Sequence, residues 1–285
     1  MAIPNKLGVY LQKSKLYPWI RKCYRRTLRR IIPTQQMVTD KHYYENNKEK
    51  FQKTLSLMDD ALSKETYRII LDNRMRGRGE KELRRIAQNE QEQYFSPDLI
   101  RLKQEYFVDC GAYNGDTIRN FLACPHDGIG AIYAFEPNRD NFDALKNFLE
   151  NQCRDIPYHI YPLGTWNEKD TLRFSGTGTG GAITEEGNIE IEVDSLDHVL
   201  ADEKVTFIKM DVEGSETRSL LGAKKIIMEQ RPILAICIYH SMEDMACIPV
   251  MLSEWLQDYR FYIRHYTLTS AETVFYAIPK EREGR

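Results

Sequence analysis

The stretch Tyr106-Phe-Val-Asp-Cys-Gly-Ala-Tyr-Asn-Gly-Asp-Thr117 decides the fold of this chain. Residues 106–108 are a short apolar run, the pattern of a buried strand. Asp109 ends the run, Gly111 and Gly115 bracket a turn, and Asp116-Thr117 lead into the helical pattern Ile118-Arg-Asn-Phe-Leu122. Strand, glycine-bearing turn and helix form the entry unit of a doubly wound α/β fold, whose ligands lie beyond the carboxyl ends of the strands. Gly111 and Gly115 permit positive φ and let a ligand lie against the backbone. The competing reading is a strand–turn–helix that binds nothing.

The spacing selects the ligand. A dinucleotide site needs G-x-G-x-x-G, with free amides and a helix N-terminus aimed at a pyrophosphate. Here the glycines stand four apart and carboxylates flank them at Asp109 and Asp116. Carboxylates repel a pyrophosphate and suit a ligand carrying an ammonium group, and S-adenosylmethionine has that chemistry. A second apolar run, Ala131-Ile-Tyr-Ala-Phe135, ends in Glu136-Pro-Asn138. An acidic residue at the end of the second strand accepts hydrogen bonds from ribose hydroxyls, and Pro137 stops the strand there. The ordinary alternative for Glu136 is a solvated surface residue.

Three motifs in order, Phe107-Val-Asp-Cys-Gly-Ala-Tyr-Asn-Gly-Asp-Thr117, Tyr133-Ala-Phe-Glu-Pro-Asn138 and Ile208-Lys-Met-Asp-Val-Glu-Gly214, resemble those of the FkbM-type methyltransferases. Arg264-His-Tyr266 and Glu272-Thr-Val-Phe-Tyr-Ala277 match the pattern near that family's C-terminus. The resemblance spans roughly residues 94–279. It implies a class I methyltransferase fold, a Rossmann-like, doubly wound and mostly parallel seven-stranded sheet, preceded here by an N-terminal helical region. It also implies S-adenosylmethionine as cofactor and O-methylation of a sugar or other natural-product hydroxyl. The candidate cofactor contacts are Asp109, Gly111, Ala112, Tyr113, Gly115, Asp116 and Thr117, then Glu136, Pro137 and Asn138, and Asp211. In this fold class the loop after the third strand flanks the adenine, which adds Leu163, Gly164 and Trp166.

The 285 residues suffice for one large domain with an appendage, or for two domains; we place a basic, helical region at 1–93 and the methyltransferase domain at 94–285. No apolar run approaches the roughly 20 residues of a membrane span, and the N-terminus lacks the apolar core of a secretory signal. Six cysteines show no C-x-x-C pair and no metal-ligand spacing. Cys110 and Cys237 read as small buried residues, and a reducing cytoplasm is the expected compartment. The net charge of −2 conceals an asymmetry: residues 1–105 hold 23 Lys+Arg and 13 Asp+Glu, the remainder 17 and 29. The acidic catalytic half has no basic footprint for a nucleic-acid acceptor.

Residues 1–33 contain no acidic residue, and 21–30 could form a short basic amphipathic helix. It reads either as a contact for anionic membrane, a nucleic-acid backbone or an acidic partner, or as a solvated helix docked by its apolar face. Residues 53–76 carry a helical period, Gly77-Arg-Gly79 breaks it, and 80–92 reads as a solvated helix. Pro97 marks a junction at 93–97. Further strands are expected at 156–161, 171–175, 189–193, 205–210, 233–238, 260–266 and 273–278, the last antiparallel. One helix is expected at 215–230, and another at 243–256 interrupted near Pro249. The glycine-rich run 176–181 lacks the Lys-Ser/Thr of a phosphate loop and reads as a lid.

For the chemistry, a hydroxyl attacks the sulfonium methyl in line, and a base takes its proton. Asp211, Glu213 and His240 stand at strand ends facing the methyl group in the expected topology, and His265 follows the same logic. His240 ranks first as base because an ordinary imidazole titrates near neutrality. Asp211 orients the substrate or the histidine, and Glu213 binds substrate or holds the loop. A metal-dependent variant needs three oxygen ligands; Asp211 and Glu213 supply two, no third is evident, and no metal is expected. An NAD(P)-dependent oxidoreductase and a non-catalytic, partner-recruiting protein are the alternatives from other classes.

Overall fold

The computed structural model describes residues 33–77, 80–175, 182–183, 187 and 189–282. The expected basic helix at 21–30 and the expected lid at 176–181 lie outside the described residues. Four helices come first: α1 (Gln35–Asn46), α2 (Lys48–Leu57), α3 (Ala61–Arg76) and α4 (Glu80–Ile86). The chain then alternates β1 (Gln104–Cys110), α5 (Asp116–Ala123), β2 (Gly128–Phe135), α6 (Arg139–Gln152) and β3 (Tyr158–Tyr161). Short strands β4 (Gly164–Thr165), β5 (Asp170–Ser175), β6 (Ala182–Ile183) and β7 (Ile189–Asp194) follow. The last part runs α7 (Leu196–Val199), β8 (Phe207–Met210), α8 (Glu216–Leu221), α9 (Lys224–Gln230), β9 (Ile233–Cys237), α10 (Met242–Trp255), β10 (Tyr259–His265) and β11 (Thr273–Pro279).

Seven strands form one sheet in the order β10-β11-β9-β8-β1-β2-β3. From β9 to β3 all neighbours are parallel, and β11 is antiparallel to both β9 and β10. Central strands buried on both faces must be apolar throughout, which is why they are legible as continuous runs. Successive residues go to opposite cores: Phe107, Ile132 and Phe207 to one, Val108, Tyr133 and Ile208 to the other. Cys110 and Cys237 are fully buried in these strands. The alternating stretches β5 and β7 pair antiparallel in a separate four-stranded sheet, β4-β7-β5-β6. Tyr94 and Phe95 are buried, and Phe95 packs 5.4–5.6 Å from the rings of Phe107, Phe121 and Phe207.

Several local expectations are corrected. The helical period at 53–76 belongs to two helices, because the chain leaves α2 extended at Met58 to bridge Phe261 of β10, and Asp60 caps α3 by accepting from the Ser63 amide at 2.7 Å. The stretch 80–92 is not a solvated helix: α4 ends at Ile86, and Leu83 and Ile86 are buried. The single helix expected at 215–230 is two. A Cβ on Gly222 would stand 2.0 Å from the Trp166 carbonyl oxygen, and the Asp197 carboxylate caps α9 by accepting from the Lys225 and Ile226 amides at 2.9 Å.

Helix α10, in contrast, runs unbroken through Pro249. Proline removes the donor for the carbonyl four residues earlier, which is that of Met245. Tyr67 of α3 supplies the substitute, its hydroxyl donating to the Met245 carbonyl at 2.8 Å, and Thr54 of α2 donates to the next carbonyl, Ala246, at 3.3 Å. The N-terminal helices are thus fastened to the sheet domain by the hydrogen-bonding defect that a buried proline creates. Tyr67→Phe leaves the Met245 carbonyl buried without a partner and is expected to cost about 1–3 kcal/mol in chemical denaturation; unchanged stability would contradict this role.

Candidate active site

The order of the sheet reverses between β1 and β8. Helix α5, which follows β1, packs by Ile118 and Phe121 on one core, while α8 and α9, which follow β8, pack by Leu220, Ile226 and Ile227 on the other. Diverging helices leave a crevice at the carboxyl ends of the two strands, and a cleft of about 440 Å³ opens there. The parallel register sets Asp109 of β1 beside Lys209 of β8. Their side chains are buried and pair at 3.0 Å, and the Lys209 ammonium also donates to the Gly111 carbonyl at 2.8 Å. Burial disfavours the Lys209 charge, but the Asp109 and Asp211 carboxylates outweigh it and hold its pKa above the usual lysine value.

The turn after β1 is built for close approach. Gly111 has φ +78°, and a Cβ there would stand 2.0 Å from the Asp211 carbonyl oxygen. Across the crevice Glu136 ends β2 and is buried. Its carboxylate accepts from the Tyr113 amide at 2.9 Å and the Asn138 amide at 2.8 Å, joining the first two motifs. Burial pushes its carboxyl above the ordinary glutamate range against the pull of these amides. Asn138 itself caps α6, accepting from the Asn141 amide at 3.1 Å.

Asp211 leaves the end of β8 and gathers hydroxyls. Tyr94 donates to its Oδ2 at 2.8 Å and Tyr239 to its Oδ1 at 3.3 Å. Burial raises the pKa of both tyrosines, so their protons stay available to the carboxylate. Of six non-glycine residues with positive φ among the described residues, four line the cleft: Tyr94, Tyr113, Glu213 and Glu272. Such conformations cost of order 1–3 kcal/mol each and concentrate where a site over-determines them.

The cleft is lined by the candidates Gly111, Tyr113, Asp116, Thr117, Glu136, Pro137, Leu163, Gly164, Asp211 and Glu213. Asp109, Ala112, Gly115, Asn138 and Trp166 do not line it; Asp109 pairs with the lining residue Lys209, and the Trp166 ring lies against Arg218. Gln93, Tyr94, Lys209, Tyr239 and Glu272 line it without having been singled out from sequence. Lys209 lies within a quoted motif, Ile208-Lys-Met-Asp-Val-Glu-Gly214, and its lone charge inside an apolar strand was the available signal. Helices α1–α4 contribute no lining residue, although Glu90, Gln93 and Tyr94 just after them do.

Two histidine expectations change. His240 does not line the cleft, and its Nδ1 stands 3.0 Å from Glu216 and its Nε2 3.4 Å from Glu213 and 3.5 Å from Asp211. Burial lowers its pKa, but the Glu213 and Glu216 carboxylates raise it further, to about 11, so the ring is charged at neutral pH and does not have the ordinary imidazole pKa that ranked it first as base. His265 is fully buried on β10, its Nδ1 2.9 Å from the Thr273 hydroxyl, and it does not line the cleft.

Among the described residues, Asp211, Glu216 and His240 form a group able to hold a metal ion, each offering one ligand atom within 4.8 Å of the others. Glu216 opens α8 and escaped the sequence reading because only the fold brings it beside His240, which follows β9.

The strand order and the crevice at its switch point are those of the class I methyltransferase fold. The Methyltransferase FkbM domain matches residues 109–265, more than half of the chain, and the chain belongs to that family. A methyltransferase FkbM from Methylobacillus flagellatus KT has a similar structure, with a TM-score of 0.73 and 24% identity over 83% of this chain; the chain spans 60% of that protein's length. More distant likenesses include an rRNA methylase from Streptococcus thermophilus (TM-score 0.38, 13% identity, 70% of this chain and 91% of that one). Aeropyrum pernix fibrillarin with natively bound S-adenosyl-L-methionine is another (TM-score 0.39, 11% identity, 62% and 67%). A comparison with curated proteins found no significant match.

Burial lowers the His265 pKa to about 4. Above about pH 6.5 the ring is neutral in both folded and unfolded chains. Between there and about pH 4 only the unfolded chain takes the proton, so stability falls as pH falls, by at most about 1.4 kcal/mol per unit from this residue. Denaturation curves of wild type and His265→Asn over this range should diverge in slope by that amount; parallel slopes would remove the assignment.

Proposed function

We propose that this chain transfers a methyl group from S-adenosylmethionine to a hydroxyl of a glycan or other small, natural-product-like acceptor. The charge of the crevice carries the reading. Glu90, Asp116, Glu136, Asp211, Glu213 and Glu272 line it, and Lys209 is the one lysine or arginine among the described lining residues. Lys209 is itself neutralised by Asp109. Such a cleft repels phosphates and gathers a cation, which suits a ligand bearing an ammonium and a sulfonium. The residues fit the group: the turn at Tyr113, Asp116 and Thr117 faces the amino-acid end, Glu136 the ribose, and Leu163 with Gly164 the adenine.

When bound, S-adenosylmethionine supplies an electrophilic methyl carbon whose bond to sulfur breaks as the acceptor oxygen attacks. The protein aligns the two reactants, an effect worth roughly 7–11 kcal/mol. Asp211, fixed by Tyr94 and Tyr239, orients the acceptor hydroxyl. Glu213 lines the crevice beside it with no hydroxyl donating to it, and takes the hydroxyl proton, adding about 10²–10⁴-fold. We assign the chain to the reducing cytoplasm, where its cysteines at 110, 124, 153, 237 and 247 stay free; no described helix is long and apolar enough to cross a membrane.

The test is incubation with methyl-labelled S-adenosylmethionine and a panel of hydroxylated acceptors. Label is expected on an acceptor oxygen, with at least a hundredfold lower rate in Glu213→Gln. Label on nitrogen alone would refute the acceptor class. Glu136→Ala removes hydrogen bonds to a charged group worth roughly 1.5–3 kcal/mol each, so S-adenosylmethionine should bind it about tenfold or more weakly. Equal affinity would take the ribose from Glu136.

A further inference from the structure

We propose that Asp211, Glu216 and His240 form a site for a divalent transition-type cation, Mn²⁺ or Zn²⁺ in character, at the floor of the crevice. Three observations converge. The three side chains come from two different strand ends and the first turn of α8, yet offer ligand atoms within 4.8 Å of one another. Bonds of about 2.0–2.2 Å to a shared ion set neighbouring donors about 3–4 Å apart, so the group needs little adjustment to close on one.

The second observation is lost hydrogen bonding. Glu216 is fully buried, and while its Oε1 accepts from the Val212 amide at 2.9 Å, its Oε2 has no partner. Both ring nitrogens of His240 are also buried without a hydrogen bond. The Nδ1 contact with Glu216 is 3.0 Å long, but it is not aligned with a ring N–H. A buried carboxylate oxygen without a partner is costly, and a metal ion, taking the place of the proton that His240 holds in its absence and releasing it to solvent, satisfies an imidazole nitrogen and a carboxylate oxygen together.

The third is charge. Glu213 completes a ring of three carboxylates around the one imidazole, at 3.0–3.5 Å. The cation outside this ring that lines the crevice, Lys209, is paired with Asp109. One nitrogen and two carboxylate donors favour Mn²⁺ or Zn²⁺ over the all-oxygen preference of Mg²⁺ and Ca²⁺. Asp211 keeps its tyrosine bonds while offering Oδ1, and Glu213 stays free.

Binding of the ion does not depend on the methyl-transfer reading; its role does. In that reading the ion sits where Asp211 meets the acceptor, so it orients the hydroxyl and makes it more acidic before Glu213 takes the proton.

The experiment is titration of the purified, chelator-treated full chain with Mn²⁺, followed by electron paramagnetic resonance, and with Zn²⁺ by calorimetry. Micromolar binding of one ion per chain is expected, with ¹⁴N coupling to bound Mn²⁺ that disappears in His240→Gln. Asp211→Asn and Glu216→Gln keep side-chain shape, and each should weaken binding at least tenfold, while exposed Glu150→Gln should not. Thermal unfolding identifies any variant that fails to fold, and the remaining two then carry the comparison. Absence of micromolar binding of both ions, absence of nitrogen coupling, or undiminished binding in the folded variants would overturn the site. Calorimetry with S-adenosylmethionine on the same metal-free protein separates failure of this proposal from failure of the methyl-transfer reading.

Discussion

Everything at the crevice depends on the parallel pairing of β1 with β8. That register places Asp109 next to Lys209 inside the sheet, and removing either partner would leave an uncompensated buried charge, a loss of about 3–5 kcal/mol. The pair holds the two strand ends together and binds the Gly111 carbonyl, so the glycine turn and the Asp211 loop are set against each other. Gly111 must then be glycine because the Asp211 carbonyl fills the space where a Cβ would go. The crevice is therefore a consequence of strand order, and its walls are positioned by backbone before any ligand arrives.

Charge is the second organising element. The N-terminal part of the sequence is basic and the remainder acidic, and the structure concentrates part of that acidity at one place. Two tyrosine hydroxyls donate to Asp211, and the proton carried by His240 offsets only part of the ring of carboxylates around it. Such a cleft is tuned for positively charged groups, which separates it from dinucleotide sites built on the same strand–turn–helix unit.

The sheet was legible because buried parallel strands are apolar runs that end in charged or glycine-bearing turns. The first two motifs were legible because Gly111, Asp116 and Glu136 lie within a few residues of the strand ends that position them. What escaped depends on contacts distant in sequence. Tyr94 reaches Asp211 from the stretch before β1, and Tyr239 from the end of β9. Helix α10 continues through Pro249 because Tyr67, far upstream, serves the orphaned carbonyl. His240 was placed at the right strand end, but its charge state is set by Glu213 and Glu216, which local sequence does not bring together with it. The split of the helix at Gly222 follows from the Trp166 loop packing there, again a matter of tertiary contact.

The measurement that bears most directly on this account is calorimetric titration of the full chain with S-adenosylmethionine and, separately, with NAD⁺. An acid-lined crevice at the switch between β1 and β8 predicts micromolar binding of S-adenosylmethionine and none of the pyrophosphate-bearing cofactor. Binding of NAD⁺ alone would contradict the reading of the glycine turn, the acidic lining and the function built on them.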